Sequence, residues 1–140
     1  MNYYNKIKNK LIDNKVYKEV KDYSKNKNYL TNYYAVGKLL YEAGNKYGEG
    51  IIKKYSERLV IEVGRNYNER TLRRIRQFYL VFKDEIWSTM STKLMWSHYT
   101  EILSLSNINE INYSINITEE YNLSVRELRE RLKTKNIKYY

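Results

Sequence analysis

Not one of the 140 residues is proline, and only five are glycine. Proline removes a backbone donor and clashes with the preceding turn, so a chain without it can run helices between whatever stops glycine and capping residues supply. Alternation of β-branched residues, the mark of a half-buried strand, is confined to Asn112–Thr118. The expected fold is therefore all-α, a compact bundle of five to seven helices. Its length lies near the usual size of one domain, so residues 1–140 are expected to form a single unit around one core.

Apolar spacing and capping residues place the elements. Ile7, Leu11, Val16 and Val20 recur near helical spacing in Tyr3–Tyr23, with Lys and Asn opposite. Ser24–Asn28 is polar and reads as a break. Leu30, Tyr33, Val36, Gly37, Leu40 and Tyr41 then describe a second helix ending at Gly44, and Gly44–Gly50 reads as a turn. Gly37 inside that helix costs up to about 1 kcal/mol against alanine, which is intelligible if a neighbouring helix packs against its bare backbone. Ile52, Tyr55, Leu59 and Val63 mark a third helix, with Gly64 placed as a left-handed C-terminal cap. Asn68 is a good N-cap for the next, Glu69 to about Phe82. Weaker helical patterns cover Thr92–Ser104 and Asn107–Tyr121. Ser124-Val125-Arg126-Glu127 has the form of a capping box opening a last helix through about Lys133.

The segment that carries functional information is the pair around residues 51–82. Two short amphipathic helices joined by Gly64–Asn68 have the layout of a helix-turn-helix, with a connection slightly longer than the usual three or four residues. At about 100° per residue, Leu72, Ile75, Phe78, Tyr79 and Phe82 fall in one arc, while Arg70, Arg73, Arg74 and Gln77 fall opposite. Arginine can grip guanine O6 and N7 as a fork, glutamine can do the same for adenine N6 and N7, and either can hold phosphate. Arg65 and Asn68, with the free N–H groups of the first turn, extend this into a phosphate site. Leu80 and Val81 fall toward the polar side near the helix end, which calls for a covering segment or partner.

Charge supports the same place. The formal net charge is +10, which by itself implies only non-specific attraction to polyanions. Residues 65–83, however, hold six basic residues against one acid, and residues 84–125 hold one lysine against six acids. Lys, Asn, Ile and Tyr share AT-rich codons, so scattered lysines are weak evidence. Four arginines within Arg70–Arg76 are not explained that way.

Other chemistries find little footing. There is no cysteine and a single histidine, His98, so a disulfide framework or a thiolate metal site is excluded and no metal or other cofactor is expected. His98, in Trp96-Ser97-His98-Tyr99, invites a general-base reading, but a lone histidine between aromatics more often packs and donates one hydrogen bond. Trp96, His98 and Tyr99 are accordingly read as structural or interface residues, with Trp96 as a core or interface anchor. The seventeen tyrosines could stack on bases, but without a located basic groove most read as core and rim. Gly44–Gly50 has three glycines but no Gly-Lys-Ser/Thr ending, so it is no P-loop. No apolar leader and no stretch of about 18 apolar residues is present, so the expected location is cytoplasmic, with no membrane partner.

The order of blocks resembles the helical N-terminal domain of YhcG-like nucleases of the PD-(D/E)xK superfamily. The resemblance rests on Tyr33-Tyr34-Ala35-Val36-Gly37-Lys38, Tyr47-Gly48 and Leu59–Gly64, then on Asn68 through Tyr79 with its Arg-Gln-Phe-Tyr ending. Leu94-Met95-Trp96-Ser97-His98-Tyr99, Glu101-Ile102-Leu103 and Leu123-Ser124-Val125-Arg126-Glu127-Leu128 follow. It covers roughly residues 30–132 and leaves a basic tail, 133–140. It implies a helical domain that precedes a nuclease and helps engage DNA or assemble the enzyme. No Asp followed by an acidic-x-Lys strand comes after Lys133, so nuclease activity is not carried over and the chain is not expected to be an enzyme.

The resulting expectation is a non-catalytic nucleic-acid-binding protein, with DNA as first partner, acting through the Arg-bearing helix 69–82. The alternative is a protein-binding inhibitor or adaptor from a phage or mobile element that blocks a host nucleic-acid-targeting nuclease or defence complex. The acidic stretch 84–125 keeps that open, since an acidic surface can present DNA-like charge. Uncovered apolar positions leave room for a homodimer.

Overall fold

The computed structural model describes residues 2–18, 23–83, 91, 93–105 and 107–134. These form seven helices and no strand, as an all-α reading requires: α1 (Tyr3–Lys18), α2 (Tyr23–Tyr47), α3 (Gly50–Glu62), α4 (Glu69–Phe82), α5 (Trp96–Ile102), α6 (Ile108–Tyr121) and α7 (Val125–Lys133). The chain divides into two compact units, Met1–Ile86 and Trp87–Tyr140.

In the first unit α2 is the hub, with α1 and α4 packed against it and α3 touching both α2 and α4. Ile7 and Leu11 of α1, Leu30, Val36 and Leu40 of α2, Ile52 and Leu59 of α3, and Leu72, Ile75 and Phe78 of α4 are fully buried. The three-and-four spacing therefore delivers one apolar face per helix to a common core. Val20 lies outside the described residues, as do 84–90, Thr92 and 135–140, which takes in most of the basic tail.

Gly37 is where α2 and α4 come closest. A Cβ built there would stand 2.5 Å from the Ile75 carbonyl oxygen and 2.7 Å from Tyr79 Cβ, so only a glycine admits α4 at this distance. Around it the tyrosines interlock. Tyr79 rings meet Tyr34 and Tyr41 at centroid distances of 5.1 and 5.8 Å. Deeper, the Tyr29 hydroxyl donates to Tyr33 (3.1 Å), and the Tyr33 and Tyr67 hydroxyls lie 3.2 Å apart, giving a buried chain of phenols. Burial, and then the neighbouring phenols, push the Tyr33 hydroxyl far above its ordinary pKa.

Several boundaries differ from expectation, among them that of α5, which spans only Trp96–Ile102 of the expected Thr92–Ser104. Ser24–Asn28 is no break: α2 runs through it, because Lys is a good helix former and Ser and Asn, though poorer, are not breakers, and Asn14 of α1 donates from Nδ2 to the Tyr29 carbonyl beside it (3.0 Å). α2 also continues past Gly44 to Tyr47, and the stop is supplied by Gly48 at φ +92°, whose N–H bonds the Gly44 carbonyl (2.8 Å). Gly64 is not left-handed. The end of α3 is tied instead by the Val63 and Gly64 N–H groups, both donating to the Leu59 carbonyl.

In the second unit α5 packs on α7 and, less extensively, on α6. Asn112–Thr118, the one stretch with strand-like alternation, is helical within α6, and Ile111, Ser114, Ile115 and Thr118 turn inward at helical spacing. Asn107 caps α6, and Asn122 closes it in the left-handed conformation at φ 50°, a role asparagine fills more readily than most residues. The expected capping box opens α7: Ser124 Oγ accepts from the Glu127 N–H (3.1 Å) and Glu127 Oε1 accepts from the Ser124 N–H (2.9 Å). The Ser124 backbone N–H, and after it the Ser124 side chain, hold the Glu127 carboxyl below its ordinary value.

Candidate nucleic-acid interface on α4

Sequence periodicity assigned α4 an apolar and an arginine face, and its neighbours fix where each points. Leu72, Ile75, Phe78 and Phe82 are buried, with the last two rings edge to face at 5.2 Å, whereas Tyr79 is half-buried at the border. On the other side Glu69, Arg70, Arg73, Arg74 and Gln77 line one open depression of about 470 Å³. Leu80 and Val81 are half-buried. Asn68 caps the helix as expected, its Oδ1 accepting the Thr71 N–H at 3.0 Å. Asn68 and Arg65 are exposed and outside the depression, in the 63–68 connection.

The electrostatics of this face differ from what a charge count gives. Glu69 stands in the first turn, where the helix dipole favours an acid, and its Oε2 accepts from Arg73 Nε (3.0 Å) and Nη2 (2.8 Å). A second carboxylate arrives from the α2–α3 turn. Glu49 Oε2 accepts from Arg73 Nη1 (3.1 Å) and its Oε1 from Arg76 Nη1 (2.7 Å). The Arg76 and Arg73 bonds hold the Glu49 carboxyl below its ordinary value, and Glu69 followed by Glu49 raises the Arg73 guanidinium. Two of the four clustered arginines are thus already engaged by acids. Arg76 is the more enclosed, with a side chain only 17 % exposed, and serves to tie α4 to the turn. Arg70 is exposed and makes no ion pair among the described residues.

Glu49 and Arg76 were not singled out in the sequence. Their separation of 27 positions leaves no local trace of the pair. The only hint is that Glu49 lies between Gly48 and Gly50 at a helix start, where an exposed acid meets whatever packs across it.

A family model described as the DUF1016 N-terminal domain matches residues 7–138. The chain belongs to this family. The DUF1016 N-terminal domain match takes in all of α2–α7 and most of α1, so α4 lies within the matched region. No curated protein and no solved structure matches the chain.

Trp96, His98 and Tyr99 belong to the second unit. His98 is buried in α5, with Nδ1 accepting the Met95 N–H (3.0 Å) and Nε2 donating to the Leu123 carbonyl (2.9 Å), so both ring nitrogens are used in joining the start of α5 to the end of α6. Tyr99 is fully buried and its hydroxyl donates to the Ser91 carbonyl. Trp96, expected as an anchor, is only half-buried at the first position of α5, because helical geometry gives the inward face to positions 98, 99 and 102. Among the described residues no helix is long and apolar enough to cross a membrane.

Proposed function

We propose that this DUF1016 N-terminal domain is a non-catalytic DNA-binding module acting in the cytoplasm, and that α4 is its DNA-facing helix. The observation that supports the reading most is the convergence of Arg70, Arg73, Arg74 and Gln77 on one open depression, while the opposite face of α4 is locked into the core. Guanidinium and amide groups on a rigid helix suit phosphate and base edges. The ion pairs of Arg73 do not argue against this. All three groups are substantially exposed, and such pairs are worth about 0–1 kcal/mol, so phosphate can replace either carboxylate. By its resemblance to the YhcG-like proteins, the module would bring DNA to PD-(D/E)xK nuclease chemistry located elsewhere.

The test is fluorescence anisotropy of labelled DNA across a salt series, comparing the parent with a variant carrying Arg70→Ala, Arg73→Ala and Arg74→Ala. Each lost phosphate contact lowers the slope of log affinity against log salt by about 0.9. Arg73 exchanges one anion for another and releases fewer counterions, so the expected drop is about two units. Unchanged affinity and slope in the triple variant would overturn the reading, as would parent binding no tighter than that of an unrelated protein of equal charge. The inhibitor or adaptor role would then take its place.

A further inference from the structure

The α2–α3 turn carries a second cluster that the reading above leaves unused. Tyr3 of α1, Tyr47 at the end of α2, and Ile51 and Tyr55 of α3 enclose, with Asn2, an open cleft of about 390 Å³. That volume falls in the range of small-molecule sites, about 300–1,000 Å³. Its lining is aromatic and carries no carboxylate. The Tyr3 and Tyr47 rings stand edge to face at 6.3 Å and 83°, and Tyr47 is 54 % exposed, whereas Tyr55 at the same cleft is buried. A large exposed ring at a fixed helix end is a surface waiting for another flat group.

The surroundings of the cleft are cationic. Lys46 Nζ lies 5.6 Å from the centre of the Tyr47 ring. Helical spacing puts the exposed Lys54 beside Ile51 and the exposed Lys6 beside Tyr3, each three positions on. Glu49, whose carboxylate is held by Arg73 and Arg76, sits between Tyr47 and Ile51 in the chain, so the turn that carries part of the cleft lining is itself bound to α4. Aromatic rings beside lysines are what a nucleotide requires, since every base has a face to stack and a phosphate to neutralise. A base inside a duplex is already stacked and cannot enter. An apolar peptide would fill the cleft while leaving the lysines without counter-charge.

Resting on the DNA reading above, we propose that the tyrosine cleft seats an unpaired nucleobase of a strand whose phosphates run over the α4 face, so that the domain's target is single-stranded DNA in preference to uninterrupted duplex. Anisotropy with a labelled oligothymidine strand and a blunt duplex of equal length tests it. The parent should bind the strand more tightly. Tyr47→Ala should weaken the strand roughly ten-fold, the effect of one lost stacking contact, and leave the duplex unchanged, while Tyr47→Phe retains parent affinity for both. Tyr47 is exposed, so its truncation should leave the fold intact, and an unchanged thermal midpoint of Tyr47→Ala verifies that. Strand affinity indifferent to Tyr47→Ala, or an equal loss on strand and duplex, overturns the cleft proposal. If duplex binding still depends on the α4 arginines, only the cleft proposal falls. A parent that binds neither probe overturns the earlier reading and this one together.

Discussion

Two glycines on α2, seven residues apart, should respond to the same substitution with opposite signs. Gly37→Ala places a methyl 2.5 Å from the Ile75 carbonyl oxygen and 2.7 Å from Tyr79 Cβ. Ordinary contact begins near 3.4 Å, so α4 must retreat by most of an ångström, and the atoms in the way are backbone or backbone-fixed. Overpacking of this kind costs about 1–3 kcal/mol. Alanine recovers up to about 1 kcal/mol of helix propensity, which leaves a net loss of up to about 2 kcal/mol. At Gly44 the new methyl would find only the Arg76 guanidinium at 3.8 Å, an ordinary contact, so Gly44→Ala should gain a few tenths to about 1 kcal/mol. Urea denaturation followed by far-ultraviolet circular dichroism measures both. With m of about 1–3 kcal/mol per molar, the Gly37→Ala midpoint should fall by up to about 2 M and the Gly44→Ala midpoint should rise, with m unchanged. A Gly37→Ala midpoint at or above the parent's would refute the claim that close approach of α4 requires this glycine.

Tyr99→Ala should cost about 3–5 kcal/mol in a denaturant titration, and Trp96→Ala distinctly less, because Tyr99 is fully buried and Trp96 is not; the reverse order would place the anchor wrongly. Ser124→Ala should lower stability by about 1 kcal/mol through loss of the cap on α7, and a midpoint equal to the parent's would show the box contributes nothing. Because the folded Glu127 carboxyl lies below its ordinary value of 4.5, its contribution is complete above that pH and disappears as acid carries the protein through the depressed value. The stability gap between parent and Glu127→Ala should therefore narrow on acidification in that window, and a gap independent of pH would remove the Glu127 carboxylate from the account.

What could be read in the sequence was what neighbours along the chain determine. Asn68, the limits of α4 and the Ser124 box each depend on residues within one helical turn, and each was found where local chemistry placed it. The close approach at Gly37 was also legible, since an otherwise unfavourable glycine in a helix needs a packing reason. Polarity at Ser24–Asn28 does not make a break, since neither glycine nor proline is there to enforce one. Gly64 misled for a related reason: a glycine at a helix end need not adopt the left-handed conformation, and here Gly48 and Asn122 do so. The Glu49 contact with Arg73 and Arg76 and the tyrosine cleft join residues from different helices, so no periodicity within one helix could reveal them.

The chain of phenols from Tyr29 through Tyr33 to Tyr67 gives the molecule an internal spectrophotometric clock. In the folded protein burial lifts the ionisation of Tyr29 and Tyr33 above the ordinary value of 10.0, Tyr33 much the further. An unfolded chain ionises all of its tyrosines near that ordinary value. Folding stability carried by these neutral phenols is thus complete below pH 10 and drains away in stronger alkali. After a jump to high pH, phenolate absorbance from the buried rings should appear only as each unit opens, Tyr33 with the first and Tyr99 with the second, so the slow rise reports core opening without any label.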